Sequence, residues 1–224
     1  MVDYNDHDSL SLALQDVDLV ISTVSGASQR NLINAAGYNR VGTFIPSEFE
    51  GPLSRRPTRR DPLGRGSIEA ISLLQQWSHS QQMQYTVFSC GIFMERFHPL
   101  GIGSFGIGYG DDVDQPGSFI MNINDGWAEY TDRNNRGNTV RICVTSIYDL
   151  VRFIRAAVDM GPEDWPREYT MNAERIALRD LVHTCGLVQG SKSQTSPHLR
   201  LRTGNSALRR GRSDTTAHSK ATVV

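Results

Sequence analysis

Residues 17–51 read VDLVISTVSGASQRNLINAAGYNRVGTFIPSEFEG, and this stretch decides the fold. Val17 to Ser22 and Val41 to Ile45 are short, mostly β-branched and apolar without polar alternation, the pattern of parallel strands covered on both faces. Between them Leu32, Ile33, Ala35 and Ala36 supply the buried stripe of a helix. The stretch is therefore a βαβ unit. Each strand empties into a loop of small and polar residues: Thr23, Val24, Ser25 and Gly26 after the first, Pro46, Ser47, Glu48 and Phe49 after the second. Open parallel sheets bind ligands beyond the carboxyl ends of their strands, so these two loops are where chemistry is expected.

Toward the N-terminus, Val2 to Tyr4 reads as the tail of a strand. Asp6 or Asp8 then caps a helix carrying Leu10, Ala13, Leu14 and Val17 at i, i+3, i+4 and i+7. Downstream, Pro52 to Asp61 is a Pro- and Arg-rich loop, and Pro62 suits the first turn of a helix with Ile68, Ile71, Leu74 and Trp77 inward, ending near His79. Gln84 to Ser89 reads as the next strand. Its exit, with Cys90, Gly91 and Phe93, is a third loop on the same rim.

Beyond Arg96 the pattern shifts to Gly-rich and acidic stretches with extended segments at Ser118 to Ile123, Trp127 to Tyr130 and Thr139 to Val144, a smaller mixed region. Ser146 and Asp149 form a capping-box-like pair before a helix with Ile147, Leu150, Val151, Ile154 and Val158 on one side. Glu168 to Asn172 reads as a strand, and Ile176 to His183 as a last helix stopped by Gly186.

An apolar fraction of 38% is enough for a packed core. The net charge of −1 conceals a basic tail: from Val188 onward seven Lys and Arg side chains face one acid, Asp214. That tail has few large apolar residues and cannot bury enough surface to offset chain entropy, so disorder is expected there. Arg209-Arg-Gly-Arg212 could contact phosphates, but without aromatic residues for base stacking nucleic acid is not an expected partner. No apolar run approaches the roughly 20 residues of a membrane span, which excludes a membrane partner on this reading and makes the cytoplasm, or else the nucleus, the expected location. Cys90, Cys143 and Cys185 are far apart and fit no zinc or disulfide spacing; His79, His98 and His183 fit no metal site either. Asp111 to Asp114 lacks the rest of a calcium loop. No metal is expected.

Gly101-Ile-Gly-Ser-Phe-Gly106 matches the G-x-G-x-x-G spacing that lets a backbone approach a pyrophosphate. That motif requires a strand before it and a helix after it. Here Phe97-His-Pro99 precedes and Gly108-Tyr-Gly-Asp-Asp112 follows, so a loop is the expected structure.

The segments DYNDHDSLSLALQDVDLVISTVSG, Gln29 with NLINAA, FIPSEFEG and QYTVFSCGIF together resemble the NmrA-like family, atypical short-chain dehydrogenase relatives that include isoflavone and phenylcoumaran benzylic ether reductases, with the fungal members nearest in flavour. The resemblance spans roughly Val2 to Leu187, and PSEF after a strand is its most specific mark. It implies an α/β fold: a Rossmann-like parallel sheet flanked by helices, a smaller mixed α/β substrate region, and the disordered tail. The implied divisions are 1–96 for a partial NAD(P)-binding domain, 97–187 for the substrate-domain-like region with late Rossmann helices, and 188–224 for the tail.

By the same resemblance, Thr23, Val24, Ser25 and Gly26 lie along an NADP(H) cofactor. Pro46, Ser47, Glu48 and Phe49 approach its nicotinamide side, and Cys90, Gly91 and Phe93 border a small-molecule substrate. Two departures stand out. The family's first strand, Gly-rich turn, first helix and second strand have no counterpart after Met1, so the sequence reads as a truncated or mis-spliced product and its sheet as incomplete. The family's catalytic lysine is also missing: no lysine precedes Lys192, and Arg65 and Ser67 stand near its position. No catalytic residue is assigned, and water or Tyr85 is left as a proton source. The expected function is an NADPH-dependent reductase of a small organic substrate. The alternatives are a non-catalytic sensor of NAD(P) that signals to a protein partner, or an inactive fragment.

Overall fold

The computed structural model describes residues 2–56, 66–107, 119–171, 173–190 and 200–203. In chain order the elements are α1 (His7–Ala13), β1 (Leu19–Ile21), α2 (Gly26–Tyr38), β2 (Thr43–Ile45), α3 (Ser67–His79), β3 (Gln84–Tyr85), β4 (Val87–Ser89), β5 (Ile92–Phe93), β6 (Met121–Asn122), β7 (Trp127–Tyr130), β8 (Arg141–Thr145), α4 (Ile147–Asp159), β9 (Glu168–Thr170), β10 (Glu174–Ala177), α5 (Leu178–Gly190) and β11 (Arg200–Thr203). The chain divides into two compact units, Met1–Phe93 with Cys143–Glu174, and Met94–Ile142 with Arg175–Val224.

In the first unit β1, β2 and β3 form a parallel sheet in that order, with Leu19 opposite Thr43, Ile21 opposite Ile45 and Thr43 opposite Gln84. This is the βαβ unit expected from residues 17–51. Its ladder runs one residue beyond each end of β1, through Thr43 N to Asp18 O at 2.9 Å and Ser22 N to Ile45 O at 2.8 Å. The single strand expected over Gln84 to Ser89 is divided at Thr86, where the backbone changes neighbours. Thr86 N still donates to Phe44 O at 3.1 Å, whereas Val87 N donates to Arg167 O at 3.0 Å and β4 continues in parallel beside β9.

The helices owe their faces to the sequence pattern. Leu10 and Leu14 from α1 and its C-terminal end, Ile33, Ala35 and Ala36 from α2, and Ala70 and Leu74 from α3 join Val20, Phe44 and Tyr85 of the strands in one core. Each such large side chain contributes about 1.5–3 kcal/mol by leaving water. Asp6 caps α1, its Oδ1 accepting from Asp8 N at 3.0 Å. Where α2 crosses α3, Gly37 receives the face of Trp77, leaving no room for a Cβ. The indole cannot readily swing aside, because its Nε1 donates to Asn34 Oδ1 at 3.2 Å. Gly37→Ala should therefore destabilise the protein by about 1–3 kcal/mol through overpacking. Urea denaturation followed by Trp fluorescence measures it, and a variant as stable as the parent would show that the helices separate without penalty.

A second core in this unit gathers Ile45, Phe88, Cys90, Leu150 and Ala157, with Phe93, Ile154, Trp165 and Tyr169 partly buried against it. β5 pairs in parallel with β8, Phe93 opposite Thr145. Ser146 caps α4 by accepting from Tyr148 N at 3.3 Å, while the Asp149 carboxylate lies 3.3 Å from Arg152 Nη1.

The second unit holds the β6–β7 hairpin, Met121 opposite Ala128, with β11 parallel to β7. Its core is Met121, Ala128 and Val182 with Phe97, Tyr130 and Leu181. The G-x-G-x-x-G string is a 3-10 turn over Ile102–Phe105, closed by Gly101 at φ 72° and Gly106 at φ 70°. It joins no strand to an α-helix, so it is not a dinucleotide cradle.

Several element expectations are corrected. Val2 to Tyr4 is not a strand. α3 begins at Ser67, and the Pro62 start lies outside the described residues. Ile176 belongs to β10, where extended backbone leads into α5 and Leu178 N reaches back to Val140 O at 3.1 Å. α5 continues through Gly186 to Gly190. A mid-helix glycine costs only about 1 kcal/mol, which the packing of Leu181, Val182 and Cys185 offsets. Asp111 to Asp114 and most of the tail, Arg209 to Arg212 included, lie outside the described residues. No helix among the described residues is long and apolar enough to cross a membrane.

Candidate functional site

The loops leaving β1, β2 and β4 belong to the first unit, and hydrogen bonds tie the second of them to α2, which follows the first, and to the third. In the first loop Ser22 is buried and its Oγ donates to Val24 O at 3.3 Å, while Thr23 is exposed. Ser25 takes the N-cap position of α2 with extended backbone, but its hydroxyl makes no capping bond. No acid occupies the first turn of α2. Among the described residues the leading N–H groups of that helix, which have no intrahelical acceptors, receive no side-chain cap from Ser25.

The second loop turns tightly, with Glu48 N donating to Pro46 O at 2.8 Å and Glu50 N to Glu48 O at 2.9 Å. Such i to i+2 closures drive successive side chains apart, and Glu48 goes inward to 3% exposure. There its carboxylate is surrounded. Oε1 accepts from Gln29 Nε2 at 3.1 Å, and Oε2 accepts from Arg56 Nη1 at 2.7 Å and from Ser67 Oγ. Arg56 also donates through Nη2 to Glu48 O at 2.7 Å and through Nε to Gly51 O at 2.9 Å. Burial pushes the Glu48 carboxyl above its ordinary value of 4.5, against the opposing pull of Ser67, Arg56 and Gln29, with Glu50 adding repulsion. Ser47 is half-buried, and its N–H donates to Gln29 Oε1 at 2.6 Å. Phe49 packs partly against the second core.

The third loop is joined to the second by Gly91 N donating to Glu50 O at 3.0 Å. Gly91 sits at φ 79° against the carbonyl of Cys143, a place no Cβ could occupy. Cys90 is fully buried and its thiol is pushed up to about 12 by burial, so it stays protonated and inert near neutral pH. Its carbonyl accepts from Thr145 Oγ1 at 2.6 Å. Ser89 Oγ reaches Glu168 Oε1 at 2.5 Å, and Leu53 N donates to the same oxygen at 2.9 Å, fixing the chain that follows the second loop.

The structure thus brings Ser47 and Glu48 together with Gln29, Arg56 and Ser67. Thr23 remains open to solvent, and Cys90 is buried in the second core. Ser67, near the lysine position of the resembled family, is engaged by Glu48, and Arg65 lies outside the described residues. Tyr85 is 4% exposed with the Arg167 guanidinium 3.9 Å over its ring, and burial raises its phenol. Among the described residues no group of His, Cys, Asp and Glu could hold a metal ion.

Gln29 and Arg56 are the members that sequence reading missed as parts of the site. Gln29 was legible: it stands four residues before Ile33 and seven before Ala36, a polar residue on a buried stripe. Arg56 carried no such signal.

No protein-family model matches the chain. It is 30% identical over 148 residues to the bifunctional pinoresinol-lariciresinol reductase of Linum usitatissimum, covering 54% of this chain and 46% of that protein. The chain therefore spans about half the length of the curated relatives it matches. Among solved structures it is similar to AtPrR2 with NADP+ and (+)-pinoresinol, at TM-score 0.57 and 18% identity over 91% of this chain and 61% of that one. It is similar to an isoflavone reductase at TM-score 0.56 and 19% identity, covering 90% and 59% of the two chains. Leucoanthocyanidin reductase of Vitis vinifera, solved with NADPH, gives TM-score 0.56 and 16% identity, covering 89% and 60%. The fold is the Rossmann-like α/β fold, and its neighbours are isoflavone- and pinoresinol-reductase-like proteins.

Proposed function

We propose that the chain serves an NADPH-dependent reductase of a small organic substrate, with the rim of the first unit as the nicotinamide-nucleotide side of its site. The observation that carries this reading is the rim itself: loops at the ends of the adjacent parallel strands β1 and β2, the second bonded to α2 and to the loop after β4, beside a helix N-terminus whose N-cap Ser25 makes no capping bond. The donor set fits the group. A dinucleotide offers phosphate oxygens, ribose hydroxyls and a carboxamide, and the rim offers the α2 N–H groups and the hydroxyls of Thr23, Ser25 and Ser47. The match to a bifunctional reductase supports the same class.

In this reading Thr23 to Gly26 and Ser47 hold the cofactor, which supplies a hydride when bound. Glu48 does its work from below, as the counter-ion that keeps Arg56 and the second loop in place. Ser67, bonded to Glu48, and Cys90, protonated and buried, hold their protons within the rim.

Titrating the full chain with NADPH and following nucleotide fluorescence tests the reading. Saturable binding with a dissociation constant between about 1 μM and 1 mM, the span of ordinary substrate constants, is the expected result. A linear signal with no saturation through that range would remove the nucleotide from the account.

A further inference from the structure

We infer that Gln29 is a positioning residue of this nucleotide site, a two-sided clamp that sets the Ser47 loop against the first turn of α2; the inference rests on the nucleotide reading of the rim. Gln29 is 1% exposed and the fourth residue of α2, three residues past Gly26. Both arms of its amide bond the Pro46 to Phe49 loop, one to its backbone and one to a side chain. Oε1 accepts from Ser47 N at 2.6 Å and Nε2 donates to Glu48 Oε1 at 3.1 Å.

The orientation of that amide follows from its partners. A backbone N–H can only donate, so the atom facing Ser47 is the oxygen, and the NH₂ is left for the carboxylate, which accepts. A glutamate here could satisfy Ser47 but would set a second negative charge against Glu48. A methionine could satisfy neither, and an asparagine is shorter by a methylene. The clamp joins α2, which the Thr23 to Gly26 loop leads into, to the Pro46 to Phe49 loop across a separation of 18 residues in sequence. Holding both in one register before binding removes the ordering cost from the binding step.

The consequence is readable without turnover. Gln29→Met keeps the side-chain volume and removes both bonds. Gln29→Glu keeps the acceptor for Ser47 and makes the other arm depend on a proton shared with Glu48. The groups facing that proton are Glu48 itself, Arg56 and Ser67, with the Glu50 charge beyond them. Under acid conditions a shared proton lets the pair bridge; under alkaline ones it is lost and two carboxylates repel.

Calorimetric titration with NADP+, together with hydrogen exchange at the Ser47 amide, tests the clamp on the full chain. Expected are fast Ser47 exchange and about tenfold weaker binding in Gln29→Met, and in Gln29→Glu near-parental binding at the acid pH with about tenfold loss at the alkaline one. If Gln29→Met does not fold, the two pH arms of Gln29→Glu carry the test. Parental binding with either variant unchanged at the alkaline pH would overturn the clamp and leave the nucleotide reading standing. No NADP+ binding by the parent would overturn the nucleotide reading itself, and the clamp with it.

Discussion

Arg56→Ala should lose about 3–5 kcal/mol of folding stability near neutral pH, the largest effect of any single change at the rim. The Arg56 and Glu48 side chains are 12% and 4% exposed, so removing the guanidinium leaves a carboxylate out of water without its counter-ion. The backbone carbonyls of Glu48 and Gly51 lose their donors in the same step. The loss should depend on pH with a definite sign. Glu48 already has a folded-state value above its ordinary 4.5, and loss of Arg56 raises it further. A carboxyl that binds its proton more tightly folded than unfolded is stabilising below its unfolded value, and that contribution falls away as pH rises through the folded one. The variant should therefore sit closest to the parent where Glu48 is protonated in both, and the gap should widen as pH rises through the parent's raised Glu48 value. Urea denaturation followed by circular dichroism at several pH values gives both numbers. A gap independent of pH, or smaller than about 1 kcal/mol, would mean that Arg56 is not what holds the charge.

Phe88→Ala should cost about 3–5 kcal/mol at any pH, which separates it from the electrostatic variant. Phe88 is fully buried in β4, and its ring lies 5.2 Å from Tyr169, 5.9 Å from Trp165 and 6.0 Å from Phe153. Truncation removes the ring against which three others pack and leaves a cavity that a strand backbone cannot close. Phe88→Leu, nearer in volume, should cost much less, about 1.5 kcal/mol. Chemical denaturation of the pair measures the difference. Equal losses for both would point to backbone disruption rather than to the missing ring.

Much of the fold was legible because its signals are local. The β-branched run before Thr23 and the one before Pro46 predict strands, and the Leu32 to Ala36 stripe predicts the helix between them; β1, α2 and β2 occupy those places. α4 forms where its apolar pattern places it, but of that side Leu150 is buried and Ile154 partly buried while Val151 and Val158 are exposed. Where the expectation slipped, a distant partner decided. The division of Gln84 to Ser89 follows from a change of neighbouring strand, from Phe44 to Arg167, which nothing in those six residues encodes. α5 runs past Gly186 with Leu187 and Val188 exposed, anchored before it by Leu181, Val182 and Cys185 packed with Met121 and Ala128.

The site divides in the same way. By itself the sequence determined that loops of small and polar residues would stand at the carboxyl ends of parallel strands, because strand pattern and loop composition are properties of short segments. Only the tertiary structure decided what each polar side chain does there. Glu48 reads as a contact for a ligand until the tight turns at Pro46 to Glu50 bury it. It becomes a counter-ion only because Gln29, Arg56 and Ser67 arrive from different elements to satisfy it. A buried charge has to find its partners in space, and the spacing of residues along a chain does not say which partners the fold will bring.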